Sequence, residues 1–340
     1  MLASGGVDSC VGMHILNEKG FRLEALFLKM TGLLEEERAL DSARRLAQRL
    51  GVRLHVLDVS EDFRQKIIGY FEKSYLAGKT PNCCCICNYQ IKMRYGFKVA
   101  ERLGLESVAT GHYARILRAK VPLLLRGLDE SKDQSYFLHR IPRQMLERLI
   151  FPLGELTKKE VKSLAGDLGF LSYIHPESQD ICFFKGDYRN FLKKAHPSFL
   201  IPGAILTVDG KRIGTHKGIS NYTVGQRRGL GIPDETPFYV VEIRAKENII
   251  VVGKEEDLLK REMTVEDINW IVEPSRLGSL RCQIKIRSRH RAAPALLELL
   301  DKRGDRVKVS FYEKQRAITP GQFAVFYKGK AVVGGGRICG

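Results

Sequence analysis

Ser4-Gly5-Gly6-Val7-Asp8-Ser9 decides how the rest of the chain is read. Two adjacent glycines let the backbone turn tightly and come close to an anion. Residues 11–19 continue as a short amphipathic helix, so the string lies between a strand and a helix start. Successive backbone N–H groups, the Ser4 and Ser9 hydroxyls and the helix N-terminus together suit a pyrophosphate. Asp8 cannot bind phosphate directly; it would position Mg²⁺ or orient the loop. No Gly-Lys-Ser/Thr follows, which sets the string apart from kinase-type phosphate loops. A ligand-free glycine turn before a helix would also contain two glycines. The full six-residue string favours the nucleotide reading.

Outward from this loop, strands and helices alternate. Residues 23–28 and 52–59 read as strands. Residues 35–50 read as a helix, with Leu40, Ala43, Leu46, Ala47 and Leu50 near helical spacing and Gly51 as its cap. Ser60 or Asp62 would cap a following helix. Residues 89–103 read as a helix ending at Gly104, and 107–111 as a strand entering a loop. This alternation predicts an α/β fold with a doubly wound parallel sheet and ligands at the carboxyl ends of its strands. Helical patterns persist at 143–149, 158–168 and 188–194. From Gly203 onward short β-type runs alternate with glycine turns, at 204–208, 238–243, 249–252, 281–287, 306–311, 322–327 and 331–333. The expected organisation is 1–195 as the nucleotide-binding domain with a helical extension, then two small β-rich domains. These are 196–260 and 261–340, the last a β-barrel.

Lys plus Arg number 56 against 39 Asp plus Glu, a formal charge of +17. That excess favours a polyanionic partner, although a generally basic proteome would give the same sign. Hydrophobic residues make up 44% of the chain, enough for ordinary cores and too many for a disordered protein. No apolar run approaches the roughly 20 residues that span a bilayer. No charged leader precedes an apolar stretch. A cytoplasmic location, with reduced thiols and no membrane partner, is the expectation.

Eight cysteines are present, and Cys83, Cys84, Cys85 and Cys87 are clustered. Such clustering reads as metal or redox chemistry, since neighbouring cysteines rarely form structural disulfides. With a helix starting near residue 89, Cys87 would sit at its N-terminus, where a thiolate is favoured. One Cys-x-x-Cys pair without a His-x-x-x-His partner supports structural zinc only weakly. Cys182 stands far along the chain in Ser178-Gln179-Asp180-Ile181-Cys182-Phe183; alone, it would suit a buried core position as well as a functional one.

Taken together, these segments resemble the bacterial tRNA-specific 2-thiouridylases, within the PP-loop ATP-pyrophosphatase (adenine nucleotide alpha-hydrolase-like) superfamily. The landmarks are Ser4 to Ser9, Thr80-Pro81-Asn82 with Cys87-Asn88, and Ala109-Thr110-Gly111-His112-Tyr113. Leu125-Arg126-Gly127-Leu128-Asp129, Lys132-Asp133-Gln134-Ser135-Tyr136-Phe137-Leu138 and Ser178 to Phe183 follow. Tyr222 to Gly231 and Thr319-Pro320-Gly321-Gln322 complete the set.

The resemblance implies that ATP, with Mg²⁺, adenylates the C2 oxygen of a tRNA wobble uridine. Sulfur then displaces AMP and leaves 2-thiouridine. It assigns catalysis to Cys87, Cys182 and Asp8. Cys182 would carry a persulfide from a donor protein, a cysteine desulfurase or a relay protein; free sulfide is the alternative sulfur source. Cys87 would attack the base or reduce the persulfide. ATP would be lined by Ala3, Ser4, Gly5, Gly6, Val7, Asp8, Ser9, Leu28 and Gly111, with Leu28 where the family often has Met. The tRNA would meet Asn82, Cys83, Cys84, His112, Lys132, Asp133, Gln134, Arg287, Ser288 and Gln322. Arg287-Ser288-Arg289-His290-Arg291 forms a basic stripe apt for phosphates, or a solvated edge that resists aggregation. The β-rich domains would grip the RNA while a flipped uridine enters the site.

Two departures stand out. Only Met1-Leu2-Ala3 precede the loop, which suggests a shortened edge strand and a poorly anchored loop. Cys84 replaces the family's acid, so Cys84, Cys87 and Cys182 become three soft ligands that would suit a [4Fe–4S] cluster with one open iron. Persulfide and disulfide chemistry without metal is the competing route. Cys83 and Cys85 read as bystanders to sulfur transfer, and Cys10, Cys282 and Cys339 as structural. Two other functions compete. Another PP-loop tRNA-modifying adenylating enzyme, such as a lysidine-type one, would not need both cysteine sites. A non-catalytic RNA-binding iron–sulfur protein would not turn over ATP.

Overall fold

The computed structural model describes residues 1–171, 181–233, 235–276 and 280–339, with 198, 199 and 276 described by backbone alone. Ser178, Gln179 and Asp180 of the Cys182 segment therefore lie outside the described residues.

The first domain is built on a parallel sheet whose middle is the chain start. Leu2 bridges in parallel to Leu26 in strand Glu24–Lys29. On its other side the Leu2 amide donates to the Ala109 carbonyl at 2.8 Å. Strand Arg53–Asp58 pairs in parallel with Glu24–Lys29, and Leu149–Ile150 pairs in parallel with Val108–Ala109. The order across the sheet is thus third, second, first, fourth, fifth in chain sequence, and the reversal point lies between the first and fourth strands. Loops leaving the strands there form the ligand crevice of a doubly wound fold. The expected edge position is corrected: Met1-Leu2-Ala3 is central, although it forms only the short bridge at Leu2. It is held by Ala3 donating to Leu26 at 2.8 Å and Leu26 donating to Met1 at 2.9 Å.

Helix Val7–Glu18 begins four residues earlier than the apolar pattern suggested, so the glycine string runs directly into it. Helix Leu34–Arg49 presses on the loop: a side chain at Gly5, whose φ is +71°, would meet the Ala39 carbonyl oxygen at 2.2 Å. A larger correction concerns the thiols. Cys83–Cys87 is already α-helix, continuing through a π-helical stretch Asn88–Met93 into Arg94–Arg102. Cys87 lies inside this helix, not ahead of it, because burial of Cys83, Cys85, Ile86 and Cys87 extends the helix toward its N-terminus. The expected helix at 143–149 is a single turn, Arg143–Leu146, followed by strand.

The middle domain, with strands Gly203–Thr207, Arg212–His216, Tyr239–Arg244 and Ile249–Gly253, has its own small core around Ile205, Tyr222, Val240, Ile250 and Val252. The last six strands close into a barrel. Around the ring run Leu259–Trp270, Arg306–Arg316, Ala293–Leu299, Arg281–Lys285, Phe323–Lys328 and Ala331–Ile338, the last pairing back to Leu259–Trp270. Full closure removes the exposed edges that open antiparallel sheets carry. A hairpin of the first domain, Ala114–Leu117 with Leu123–Arg126, adds to this barrel through Ala331–Ile338. Phe323, Val325, Tyr327 and Val332 of the barrel share one apolar core with Phe63, Phe71, Ile91 and Tyr136 of the first domain. Among the described residues, no helix is long and apolar enough to cross a membrane.

Candidate active site

The glycine string folds on itself through its serines. The Ser4 amide donates to Ser9 Oγ at 3.2 Å, and Ser9 Oγ donates to the Gly6 carbonyl at 2.9 Å. Gly6 is the N-cap of helix Val7–Glu18 and makes no side-chain cap bond, so that end keeps its partial positive charge for an anion. Gly111, after the fourth strand, closes the crevice: a Cβ there would meet the Asp8 carbonyl carbon at 2.9 Å and the Ser9 nitrogen at 3.0 Å. Ala3 and Leu28 are buried beside the loop.

Asp8 would repel a phosphate if left bare. Its carboxylate instead accepts from Lys158 Nζ at 2.7 and 2.8 Å and from the Tyr113 hydroxyl at 2.7 Å. The lysine side chain is one-tenth exposed. It enters on the first residue of helix Lys158–Asp167, whose Thr157/Glu160 capping box fixes its departure angle. Of the two roles expected of Asp8, this geometry serves loop orientation. Neither Lys158 nor Tyr113 emerged as a site residue from sequence; the Thr-Lys-x-Glu capping signature was the visible trace of Lys158. Glu36 was also missed. Its buried carboxylate accepts from the amides of Met30 (2.6 Å), Thr31 (3.0 Å) and Gly32 (2.8 Å), and so closes the loop after Leu28.

Beyond Gly111, Thr110 Oγ1 lies 2.8 Å from His112 Nδ1. Atoms crowd the His112 ring although an edge stays accessible. Desolvation, then the Lys92 charge, lower its pKa to about 3, so the ring is neutral. Gln134 pairs twice with Tyr113: its side-chain oxygen accepts from the Tyr113 amide, and its own amide donates to the Tyr113 carbonyl, both at 2.9 Å. Asp133 is nearly inaccessible and accepts from Gly127 and Ser135 amides at 3.2 and 3.0 Å. Lys132 alone of this trio is exposed. In the free protein the Asp133 carboxylate staples the loop through the Gly127 and Ser135 amides.

The thiol end is different in kind. Cys84 and Cys182 are exposed, while Cys83, Cys85 and Cys87 are buried. The Cys83 sulfur points toward the Ile67 carbonyl at 4.0 Å, and Cys85 toward that of Tyr136 at 3.9 Å. Cys83 is buried in the core of the free protein. Desolvation dominates at Cys87 and pushes its pKa up to about 12, against the opposing Lys92 charge. This overturns the helix-end activation expected from sequence. Cys182 shifts in the same direction, by desolvation first, with Lys92 again opposing. The Cys182 and Cys84 charges would add to the rise at Cys87, and the Cys84 charge to that at Cys182, so the three thiols stand near one another. Among the described residues, however, no three His, Cys, Asp or Glu side chains converge tightly enough to hold a metal ion. The thiols as placed do not fit a cluster.

Asn82 is the extended N-cap of the thiol helix without a capping side-chain bond. Gln322 Nε2 donates to the carbonyls of Thr80 and Pro81 at 3.0 and 3.4 Å. Arg287 and Ser288 lie in a half-buried turn after strand Arg281–Lys285, where Arg287 donates to the Arg316 carbonyl at 3.3 Å. Arg289 and Arg291 are exposed beside them.

The sheet order, the self-bonded glycine string and its open helix end define a PP-loop protein of the HUP class. Residues 1–186 match a family model described as the tRNA methyl transferase HUP domain. Residues 189–254 match its PRC-barrel domain, and 260–338 an aminomethyltransferase β-barrel domain. The chain belongs to the tRNA-specific 2-thiouridylase (MnmA) family. It is 40% identical to the MnmA of Roseiflexus castenholzii, over 98% of this chain and 97% of that one. It is 42% identical to that of Syntrophotalea carbinolica, over 98% and 96%. A solved U34-tRNA thiolase, NcsA from Methanococcus maripaludis with its [4Fe-4S] cluster, is 19% identical with a TM-score of 0.37, covering 57% of this chain and 63% of that one. A likeness that loose bears on no residue here.

Proposed function

We propose that this protein is a tRNA sulfurtransferase that converts the wobble uridine to 2-thiouridine in an ATP-dependent reaction. The observation that carries the reading is one crevice with an anion-ready helix end at Gly6 and a thiol helix on the same domain, inside a family of 2-thiouridylases. ATP with Mg²⁺ would lie along Ser4–Ser9, with adenine toward Leu28 and the loop that Glu36 closes. Lys158 offsets the Asp8 charge, so the Gly6–Ser9 amides can face phosphate. Adenylation makes the C2 oxygen a leaving group. Sulfur attack at C2 then expels AMP, and the electron pair of the C2–O bond leaves with the phosphate.

For sulfur delivery the exposure of the thiols favours the metal-free route. Cys182 is open to a donor, and Cys87 is sheltered from solvent beside it. Either the outer sulfur of a Cys182 persulfide attacks C2 and Cys87 then attacks the Cys182 Sγ, freeing 2-thiouridine, or Cys87 attacks that Sγ first and the outer sulfur leaves as sulfide to attack C2. The balance is a Cys87–Cys182 disulfide, which a thiol reductant must reopen. The cluster route keeps one favouring feature, the Cys84-x-x-Cys87 pair near Cys182. The exposed Lys132, Arg289 and Arg291 are the expected phosphate contacts, with His112 and Asn82 near the base.

Anaerobic thiolation of unmodified wobble-uridine tRNA, with ATP, Mg²⁺ and sulfide or a persulfide donor, tests both levels. Metal-free and iron-reconstituted protein are compared by nucleoside mass spectrometry. 2-Thiouridine from metal-free protein supports the two-thiol route; product only after reconstitution supports the cluster. ATP consumption with a different modified nucleoside, or no turnover at all, would remove the thiolase reading.

A further inference from the structure

Among the described residues the thiols do not converge on a metal ion, and they differ instead in exposure. Cys83 and Cys85 are buried with their sulfurs toward the Ile67 and Tyr136 carbonyls, facing the core. Cys87 is also buried, at the far end of helix Cys83–Cys87, while Cys84 and Cys182 are exposed. Cys84, Cys87 and Cys182 stand near one another. Residues three apart on a helix share a face. Helix geometry sets the Cys84 and Cys87 Cα atoms about 5 Å apart, inside the range of about 4.4–6.8 Å that a disulfide spans. Their Cβ atoms, about 5–6 Å apart, must close by about 1–2 Å. The first helical turn can yield that distance, because Asn82 makes no capping side-chain bond and first-turn amides lack intrahelical partners.

We propose that Cys84 is the resolving thiol of the reaction: it attacks the Cys87 Sγ of the Cys87–Cys182 disulfide left by sulfur delivery, and so returns Cys182 to the donor. The Cys87–Cys182 bond breaks and a Cys84–Cys87 bond forms. Cys182 leaves with the electron pair as a thiolate and takes the proton given up by Cys84. No net oxidation occurs in this exchange. The Lys92 charge near Cys182 favours the departing thiolate. Burial obstructs an external thiol from attacking Cys87. One attacking the exposed Cys182 leaves a mixed disulfide on the sulfur that must accept the next persulfide. Attack from within the same helix avoids both. The Cys84–Cys87 disulfide then offers its exposed Cys84 sulfur to a thiol reductant, which supplies two electrons and two protons. The proposal rests on the metal-free, two-thiol reading of sulfur delivery.

Full-length wild type and Cys84→Ser, both metal-free, are compared with unmodified wobble-uridine tRNA, ATP, Mg²⁺ and a persulfide donor. In the first measurement one turnover is run without reductant, free thiols are alkylated, and disulfides are located by peptide mass spectrometry. Wild type should contain Cys84–Cys87 with Cys182 alkylated, and Cys84→Ser should hold Cys87–Cys182. In the second, the ratio of the steady-state rate to the single-turnover rate is read with a limiting thiol reductant. Cys84→Ser should lower this ratio by about tenfold or more, the advantage of a thiol already in place, and excess dithiothreitol should restore it. A wild type that stays Cys87–Cys182, or an unchanged ratio, would overturn the proposal. So would equal falls in both rates, which would place Cys84 in sulfur transfer itself. Product from iron-reconstituted protein alone would overturn it too, by making Cys84 a ligand. If wild type forms no 2-thiouridine in either state, the thiolase reading fails. Titration of the free protein with glutathione disulfide then still decides the exchange: a Cys84–Cys87 disulfide upholds it, and Cys87–Cys182 or no disulfide overturns it.

Discussion

The nucleotide loop and the thiol helix are held by opposite physics. At the nucleotide end, charged and polar groups are paired in place: Asp8 with Lys158 and Tyr113, Glu36 with three amides, Ser9 with Ser4 and Gly6. At the thiol end the helix is held by apolar burial, and Cys87 is protonated in a setting that resists ionisation. An adenylating site needs its dipoles arranged before charge develops, because reorganisation during reaction is costly. A thiol that would react with any oxidant is better kept neutral until its partner arrives. The difference teaches that the nucleotide end has its polar groups arranged in the free protein, whereas the thiol end holds Cys87 un-ionised.

The largest effect that would break this division lies with the thiols. Cys87→Ser and Cys182→Ser should each lower 2-thiouridine formation by at least about 10³-fold, the scale for removing a covalent participant. ATP binding, followed by equilibrium dialysis, should be retained. Cys85→Ala, which alters only a core position, should keep most of the rate. Thiolation surviving both serine variants would place sulfur delivery elsewhere.

Next in size is Lys158→Met. It leaves Asp8 uncompensated at a phosphate site, and a buried charge stripped of its partner costs about 3–5 kcal/mol. Asp8 is partly exposed, which reduces that figure. A fall of about 10²-fold in tRNA-dependent AMP formation is expected, with tRNA affinity intact. Tyr113→Phe removes one hydrogen bond and should cost about tenfold or less. Pyrophosphate release assays of the first half-reaction decide this; an unchanged Lys158→Met would mean that the pair is only structural.

How much of this was legible in sequence follows from the same contrast. The glycine string announced itself because phosphate contacts come from consecutive backbone groups, and the alternation of elements around it was local. Lys158, Tyr113 and Glu36 were illegible because their roles depend on strands that meet only in the folded sheet. The central position of Met1-Leu2-Ala3 was misjudged for that reason: strand order is a tertiary fact. At the thiols the local reading failed outright. Burial against Ile67 and Tyr136 extended the helix through Cys83, and Cys87 lost the N-terminal position that its sequence neighbourhood suggested. The barrel's strand at 259–270 was missed because its polar faces, Lys260, Arg261 and Glu262 among them, mask the alternation.

A third test compares thiols directly. With a pKa near 12, Cys87 at pH 8 is thiolate in only about one part in ten thousand. Iodoacetamide at that pH should label the exposed Cys84 and Cys182 first and leave Cys87. Its labelling should rise about tenfold per pH unit toward pH 10, for as long as the fold persists. Addition of wobble-uridine tRNA should change the Cys87 rate, whereas ATP alone should not. Labelling of Cys87 as fast as Cys84 in the free protein would show that the thiol end is already open.

The smallest effect concerns what supports the thiol helix. His139 is fully buried and shares the Tyr136 carbonyl with Cys85. Its Nδ1 lies 2.7 Å from that oxygen and must be the donor, because the carbonyl can only accept. Desolvation lowers its pKa from 6.5 to about 3. Above pH 6.5 the ring is neutral in folded and unfolded chains alike and adds no pH dependence. Below it the unfolded chain takes up a proton that the fold refuses, so stability falls as pH drops from 6.5 toward 3. The slope is about 1.4 kcal/mol per pH unit for one site, or about 2 kcal/mol by pH 5. Urea midpoints of the full chain at pH 6.5 and pH 5 should therefore diverge. His139→Asn should be less stable at pH 6.5 yet show a slope flatter by about one proton. An unchanged slope would mean that the acid sensitivity arises at other groups, and that burial beneath the thiol helix is looser than its neutral histidine implies.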